Sequence, residues 1–336
     1  MPHSLQALLH PKPTTPHDPG SVARVEQLLC THYDRSFAVS VGDMHNAMLA
    51  LGMAMELGHN DEVIVSPIEE RGLVPLSLFG VTLVPAALRY SDLLISDEHL
   101  AASLSHRSRM VLVPHTAGLE PDYEALQSAT ANHGGPVMVA LAGLGTTAQD
   151  GHPSAAHAEV LVVDLGPHRA ITAGQGATIL KDHNDLFGRL LRAVAPEARQ
   201  RAEGLPHPNA VNLNCPLPTA AAQFLERTWE EQWETLTDRI TQICASLRGH
   251  AGTFHTAPFA TPGRCSFEAP LLCLADGATT SLERQRLQYF CGLPGRFRPK
   301  LSWRVPDDVN ELLGSLAGEH EHYRLEDILR KHWPCY

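Results

Sequence analysis

The sequence predicts an α/β protein with a mostly parallel sheet and helices on both of its faces. Two features support this prediction: short β-rich runs recur over the first half of the chain, and stretches with helical spacing of apolar residues separate them. Strands that alternate with helices imply crossover connections, which set parallel strands side by side. The predicted strands are 36–41 (SFAVSV), 61–65 (DEVIV), 81–85, 110–114 (MVLVP), 137–141 (VMVAL), 160–164 (VLVVD) and 177–180.

The helices between these strands have boundary signals in the sequence. Gly42 and Asp43 open an apolar helix over 44–57, and Gly58 is expected to close it. The other predicted helices are 22–33, a stretch that ends at residue 78, 122–133 (closed by Gly134 and Gly135), 184–195, and a long amphipathic helix over 218–247.

The chain divides into three predicted parts. Residues 1–20 are rich in Pro and His and are expected to form a flexible arm. A large α/β domain follows over 21–217, and 218–336 comprises the long helix and a smaller, divergent α+β domain with a strand at 266–274 and a helix at 282–290. A hydrophobic content of 43% is sufficient for a sizeable core.

Composition argues against several classes of protein. The formal charge of −11, without a basic run, argues against a nucleic-acid-binding surface. We expect a cytoplasmic protein, because the N-terminus lacks the apolar core of a signal peptide and no apolar stretch is long enough to span a bilayer. The seven cysteines contain no C-x-x-C pair and are expected to be reduced. The twenty histidines lack metal-ligand spacing, so no metal site is expected.

Five segments occur in an order and spacing that match a known family. They are AVSVGDMHNAMLAL, DEVIVSP, VPHTAGLEPDYEAL (which contains His115, Gly118 and Asp122), ITAGQGATILKD and NAVNLNCPLPTAAAQFLERTWEEQW. Over residues 22–249 the chain resembles the DegT-type nucleotide-sugar aminotransferases. This resemblance implies the fold-type I aminotransferase architecture, which uses pyridoxal 5′-phosphate (PLP) and builds its active sites at a dimer interface. We therefore expect a homodimer, or a heterodimer with an active relative.

The chain departs from the family pattern at the positions that hold the cofactor. The pattern can be laid on residues 137–169 without a gap. It then places the aspartate that pairs with the pyridine nitrogen on Ala140, the phosphate-binding serine on Asp164, and the Schiff-base lysine on Arg169. At the first phosphate loop, Asp43 replaces a threonine. The aromatic residue that stacks on the ring falls near Glu69 or Glu70 in the segment SPIEERG.

These replacements predict a protein that binds no PLP. A guanidinium group stays protonated, so Arg169 cannot form the Schiff base. Ala140 has no carboxylate to hold the pyridine nitrogen protonated. A phosphate between Asp43 and Asp164 would be repelled, because Asp43 can itself satisfy the N–H groups of the helix N-terminus.

A one-residue slip would change the interpretation at the lysine position. It would place His168 there, as in the sugar dehydratase subgroup, in which histidine replaces the lysine. The spacing from Pro167 argues against the slip, and Ala140, Asp43 and Asp164 would still fail to hold an aminated cofactor.

The candidate catalytic residues each have a structural alternative. Asp43 is either an acid–base group or a helix N-cap. Asp164 and Arg169 form either a substrate clamp or a buried ion pair in the former lysine position. His168 is either a proton-transfer residue or a solvent-facing loop histidine, and His115 is either a site residue at a strand end or a hydrogen-bonded structural histidine. Of the remaining candidates, the segment 69–71 either lines the pocket or forms a solvated turn, and Cys215 is expected to be an inert buried thiol.

Three functions remain open from the sequence. The first is a cofactor-independent enzyme that dehydrates, cyclises or isomerises a small polar metabolite in a secondary-metabolite pathway. The second is a non-catalytic partner or scaffold that dimerises with an active enzyme. The third is a PLP- or pyridoxamine-phosphate-dependent aminotransferase or dehydratase, which requires a different alignment.

Overall fold

The computed structural model describes residues 20–66, 73–88, 94–115, 121–143, 158–167, 169, 171–182 and 184–249, together with the dipeptides 254–255, 273–274 and 302–303. The described strands are β1 Phe37–Val41, β2 Glu62–Val65, β3 Thr82–Pro85, β4 Ser108–Pro114, β5 Val137–Gly143, β6 Val160–Asp164, β7 Ala177–Lys181, β8 Phe254–His255, β9 Cys273–Leu274 and β10 Ser302–Trp303. The described helices are α1 Ser21–Tyr33, α2 Met44–Ala54, α3 Leu73–Leu76, α4 Asp97–Ser103, α5 Tyr123–Thr130, α6 Asn184–Val194, α7 Glu197–Ala202 and α8 Thr219–Gly249.

The predicted α/β fold with a mostly parallel sheet is confirmed. Eight strands form one sheet in the order β1-β7-β6-β5-β4-β2-β3-β10. Strands β10, β3, β2, β4, β5 and β6 pair in parallel, whereas β7 is antiparallel to both β6 and β1. The carboxyl ends of β1 and β6 therefore meet the start of β7, with Val41 and Asp164 both opposite Ala177.

Both faces of the sheet are covered by apolar residues, which explains why its strands read as nearly continuous hydrophobic runs. Alternate residues of one strand enter opposite layers, as Leu161 and Val162 of β6 do. The first layer packs α1 and α8 on the sheet through residues such as Leu29 and Leu225. The second layer packs α2 and α6 through residues such as Met48 and Leu190.

The end of α2 differs from the prediction. The helix ends at Ala54, and Glu56 rather than Gly58 adopts the left-handed conformation, with φ of 55°. The amide of Glu56 donates to the Met53 carbonyl at 3.1 Å, and the amide of Leu57 donates to the Gly52 carbonyl at 2.9 Å. These two bonds satisfy carbonyls that the helix end leaves open, so the turn closes before Gly58.

Other predictions fall partly or wholly outside the described residues. Of the arm 1–20 only Gly20 is described, and of the predicted C-terminal strand only Cys273–Leu274. The helix predicted over 282–290 also lies outside them. The division into domains therefore stays a prediction. Within the described ranges, no helix is both long and apolar enough to cross a membrane.

Candidate functional site

A cavity of about 220 Å³ lies beyond the carboxyl ends of β1 and β6, at the N-terminus of α2. This edge is where open α/β sheets place their ligands. The antiparallel β7 brings the cavity's residues together, because its first residue pairs with the last residues of both β1 and β6. The lining residues are Asp43, Met44, His45, Asp164, Gly166, Pro167, Arg169, Gln175 and Gly176.

An ion pair between Asp164 and Arg169 forms one wall of the cavity. Oδ2 of Asp164 accepts from Nε and Nη2 of Arg169, each at 2.8 Å, and Oδ1 accepts from the amide of Gly166 at 2.9 Å. The side chains of Asp164 and Arg169 are only 8% and 21% exposed. With so little exposure to solvent, each of the two charges depends on the other, because removing one would leave the other buried without a partner.

The loop after β6 holds this pair in place. The amide of Arg169 donates to the Gly166 carbonyl at 3.2 Å, and the hydroxyl of Thr172 donates to the same carbonyl at 2.6 Å. Gln232 of α8 then anchors the loop: its Oε1 accepts from the amide of Thr172 at 2.7 Å and its Nε2 donates to the Thr172 carbonyl at 3.0 Å. The long helix therefore positions the loop that carries Arg169.

Asp43 is the N-cap of α2, as one of its two predicted roles required. Its Oδ1 accepts from the amide of Asn46 at 2.8 Å, and its backbone is extended. The amide of Gly42 donates to the Cys215 carbonyl at 2.9 Å. The N-terminus of α2 is thus capped by a carboxylate from the chain itself, which satisfies one donor and adds negative charge.

His115 lies directly after β4 and is buried, with 8% of the residue exposed. Its Nε2 lies 2.6 Å from the hydroxyl of Tyr123, and its amide donates to the Leu141 carbonyl at 2.9 Å. Burial, together with the smaller effect of the charge of Arg169, lowers the pKa of His115 to about 3. The imidazole is therefore neutral at physiological pH, and it lies within the field of Arg169 without lining the cavity.

The structure thus brings together three of the predicted site residues, Asp43, Asp164 and Arg169. His168 and the segment 69–71 lie outside the described residues, so their predicted roles stay predictions. Cys215 is half-buried, and burial raises its thiol pKa to about 11, with the charge of Asp43 adding to the effect. A thiol in this environment stays protonated, in agreement with the expected inert role.

Two polar side chains of the cavity were not singled out from the sequence. His45 follows the N-cap of α2, and Gln175 lies in the ITAGQG turn before β7. The only sequence signal for either is its position next to a residue that the family pattern already marks. Among the described residues, no group of three or more His, Cys, Asp and Glu side chains is arranged to hold a metal ion.

The described structure has the architecture of an α/β enzyme with fold-type I aminotransferase topology and ionisable side chains beyond the carboxyl ends of its strands. The model of the DegT/DnrJ/EryC1/StrS aminotransferase family matches residues 17–201, which is more than half of the chain. The chain therefore belongs to this family, and the resemblance inferred from the sequence is confirmed.

Solved structures agree with the fold. The chain is similar to the sugar aminotransferase CalS13 from Micromonospora echinospora, with 22% identity, a TM-score of 0.69, and coverage of 84% of this chain and 79% of that one. It is also similar to an E. coli GDP-4-keto-6-deoxy-D-mannose-3-dehydratase with bound hydrated PLP, with 13% identity, a TM-score of 0.71, and coverage of 91% and 87%. A putative sugar aminotransferase, Spr1654 from Streptococcus pneumoniae in its pyridoxamine-phosphate form, gives 18% identity, a TM-score of 0.66, and coverage of 81% and 75%. At these low identities, the structural similarity shows a common fold and no more.

The described residues at this cavity lack groups that the family pattern uses to hold PLP. A Schiff base with PLP needs an amine, and the one lysine among the described residues, Lys181, pairs with Val160 at the opposite end of β6 from Asp164. Val160 and Asp164 are four positions apart along the strand, which corresponds to about 13 Å. The pyridine nitrogen needs a carboxylate, and the aligned position in β5 is the fully buried Ala140. The phosphate would meet the carboxylates of Asp43 and Asp164.

Proposed function

We propose that this chain is a family member that works without PLP and binds a small polar metabolite in the cavity at α2 for acid–base chemistry. The reaction class would be dehydration, cyclisation or isomerisation, in a secondary-metabolite pathway. The observation that carries the proposal is the ion pair between Asp164 and Arg169. The family pattern, when laid on the sequence, places the phosphate-binding serine and the Schiff-base lysine on these two residues.

The charges of the cavity favour a ligand unlike the family's cofactor. Two carboxylates, Asp43 and Asp164, and one guanidinium, Arg169, line it. Carboxylates accept hydrogen bonds from hydroxyl groups, and the planar guanidinium suits a carbonyl or carboxylate oxygen. A polyhydroxylated carbonyl compound presents both kinds of group. A dianionic phosphate, in contrast, would face two like charges at close range.

Proton transfer would depend on the substrate displacing the ion pair. Oδ2 of Asp164 accepts both hydrogen bonds from Arg169, so it is engaged before substrate arrives. A substrate oxygen that takes over the guanidinium would release Oδ2 as a base, while Arg169 stabilises the negative charge that develops on that oxygen. His168 and Asp43 are the further candidates for proton transfer. His115 would act as a neutral hydrogen-bonding group near Arg169.

A non-catalytic partner is the second candidate. The observation in its favour is that the acidic residues have complete structural roles: Asp43 caps α2, and both oxygens of Asp164 accept hydrogen bonds. The family's active sites are built at a dimer interface, so the chain would form a homodimer or a heterodimer with an active aminotransferase.

The first experiment separates PLP-independent from PLP-dependent function. Purified protein is incubated with PLP, reduced with borohydride and analysed by absorbance and intact-mass spectrometry. The wild-type chain and Arg169→Lys are both expected to remain unmodified, because Ala140 offers the pyridine nitrogen no carboxylate and the charge of Asp43 opposes the phosphate. A stoichiometric adduct on a side chain of the wild-type protein would overturn the proposal.

The second experiment separates catalysis from a partner role. Asp164→Asn and Arg169→Gln are introduced in the producing host, and pathway product is measured beside the oligomeric state and circular dichroism of each purified variant. Loss of product with an intact fold and dimer supports catalysis. Arg201→Gln is the matched control, because Arg201 is exposed and pairs with Glu197 on one face of α7. Undiminished product in both site variants would exclude the catalytic proposal.

A further inference from the structure

A larger cavity, of about 610 Å³, lies at the opposite edge of the sheet from the first. It is bordered by the starts of β4, β5 and β6, by the end of the antiparallel β7, and by the first turns of α6. Its volume is within the range of small-molecule sites. The family comparison assigns nothing to this edge, and the site proposed above does not use it.

Lys181, the last residue of β7, is the most unusual side chain of this cavity. The residue is only 5% exposed, and its side chain forms no hydrogen bond and no ion pair with another described residue. The carboxylate of its neighbour Asp182 is already bound to Arg35, at 2.5 Å, and to the amide of Ser36, at 3.1 Å. Burial lowers the pKa of Lys181, and Arg189 lowers it further, against smaller opposing effects from nearby carboxylates. An ammonium group at the wall of a cavity, with no carboxylate within ion-pair distance, favours an anionic ligand at this point.

Two arginines converge on the same cavity. Arg109, on β4, and Arg189, on α6, both line it, and neither guanidinium forms a hydrogen bond or ion pair with another described residue. Other arginines of the described chain are paired, as Arg107 is with Glu62 and Arg199 with Glu26. Lys181, Arg109 and Arg189 share this cavity, and no ion pair within 4.0 Å joins any of them to a described carboxylate. Such a group of basic side chains suits a multivalent anion.

Two carboxylates in the lining restrict the kind of ligand that would fit. Glu159 and Asp185 also line the cavity, and both are close enough to affect the pKa of Lys181 without approaching it within ion-pair distance. Carboxylates are hydrogen-bond acceptors for hydroxyl groups and repel a second anion. An anion without other polar groups would contact only the basic side chains of the lining. A ligand with a phosphate at one end and several hydroxyl groups at the other could contact both the basic side chains and the carboxylates.

We propose that this cavity binds a small phosphorylated polyhydroxy compound, such as a sugar phosphate. Its phosphate lies between Lys181, Arg189 and Arg109, and its hydroxyl groups donate to Glu159 and Asp185. The site is separated from the cavity at Asp164 by the length of β6, so it acts independently of the function proposed above.

Isothermal titration calorimetry with the full-length chain tests this proposal with three probes: glucose 6-phosphate, inorganic phosphate and glucose. We expect glucose 6-phosphate to bind most tightly, phosphate more weakly, and glucose without measurable heat. Equal affinity for phosphate and glucose 6-phosphate would overturn the assignment of the hydroxyl groups. Failure of glucose 6-phosphate to bind with a Kd of about 1 mM or below would overturn the whole site.

Variants locate the site within the chain. Lys181→Met keeps the length of the buried stem and is expected to weaken binding of glucose 6-phosphate about tenfold or more, the value of one charge-assisted hydrogen bond. Arg189→Met, on an exposed position, gives the same direction of change without risk to the core. Glu159→Gln weakens binding of glucose 6-phosphate and leaves phosphate binding unchanged or stronger. Arg227→Met, exposed on α8, is the matched control and keeps wild-type affinity. Wild-type affinity in both Lys181→Met and Arg189→Met would refute the proposal.

Discussion

Breaking the ion pair between Asp164 and Arg169 is expected to destabilise the protein by about 2–4 kcal/mol. Removing one partner of a buried pair costs about 3–5 kcal/mol, because the other charge stays buried and uncompensated. The Asp164 side chain is 8% exposed, close to that limit, whereas the Arg169 side chain is 21% exposed, so solvent already reaches part of the pair. We therefore place Arg169→Met below the upper end of the range. The amide of Gly166, at 2.9 Å, continues to hold one oxygen of Asp164 and reduces the loss further.

A double-mutant cycle measured by urea unfolding tests this value. Arg169→Met, Asp164→Asn and the double variant are compared with the wild type, and the coupling energy is expected to be about 1–3 kcal/mol. The double variant should recover part of the stability, because the neutral amide that replaces the Asp164 carboxylate no longer needs a cation. The exposed pair of Arg201 and Glu197, whose side chains are 66% and 42% exposed, is the control and should give about 0.5 kcal/mol or less. A coupling energy between Asp164 and Arg169 no larger than that of the control would refute the reasoning.

Three further predictions concern the same framework. Arg199→Met removes the bidentate partner of Glu26, whose carboxylate oxygens accept from Arg199 at 3.0 and 2.7 Å; burial raises the pKa of Glu26 in spite of Arg199. Without Arg199 the folded state holds the proton of Glu26 to still higher pH, so the loss in unfolding free energy should be smallest near pH 4.5, the ordinary pKa of Glu, and should grow as pH rises. A loss in unfolding free energy that is constant across pH would contradict this prediction. Asp43→Ala should cost about 1 kcal/mol in urea unfolding through loss of the N-cap, and Asp43→Ser should retain most of it; equal losses would argue against capping. Gly176→Ala should lower the free energy of unfolding by about 1–3 kcal/mol and therefore lower the melting temperature. The φ of Gly176 is 115°, and a Cβ there would lie 2.3 Å from Cδ1 of Leu217. An unchanged melting temperature would show that the turn can relax.

Local signals predicted much of the fold and part of the site. The strands β4 to β7 coincide with β-rich runs that are bounded by turn residues. Asp43 caps α2, as its position before an apolar helix indicated. The pair between Asp164 and Arg169 could be proposed from the sequence, because the two residues lie only five positions apart, in one tight loop. The exact end of α2 could not, since the choice of Glu56 over Gly58 as the left-handed residue depends on which carbonyls the following amides reach.

By itself, the sequence determined the alternation of strands and helices and the family, because each of these depends on the chemistry or spacing of neighbouring residues. The loss of the residues that hold PLP stays a prediction. Only the tertiary structure decided the direction of β7, which sets Asp43 beside Asp164 at one edge of the sheet. It also decided the gathering of Lys181, Arg109 and Arg189 at the other edge. Both arrangements join residues that are distant in the chain, and their proximity follows from strand order and from burial of two apolar layers, which no local pattern specifies.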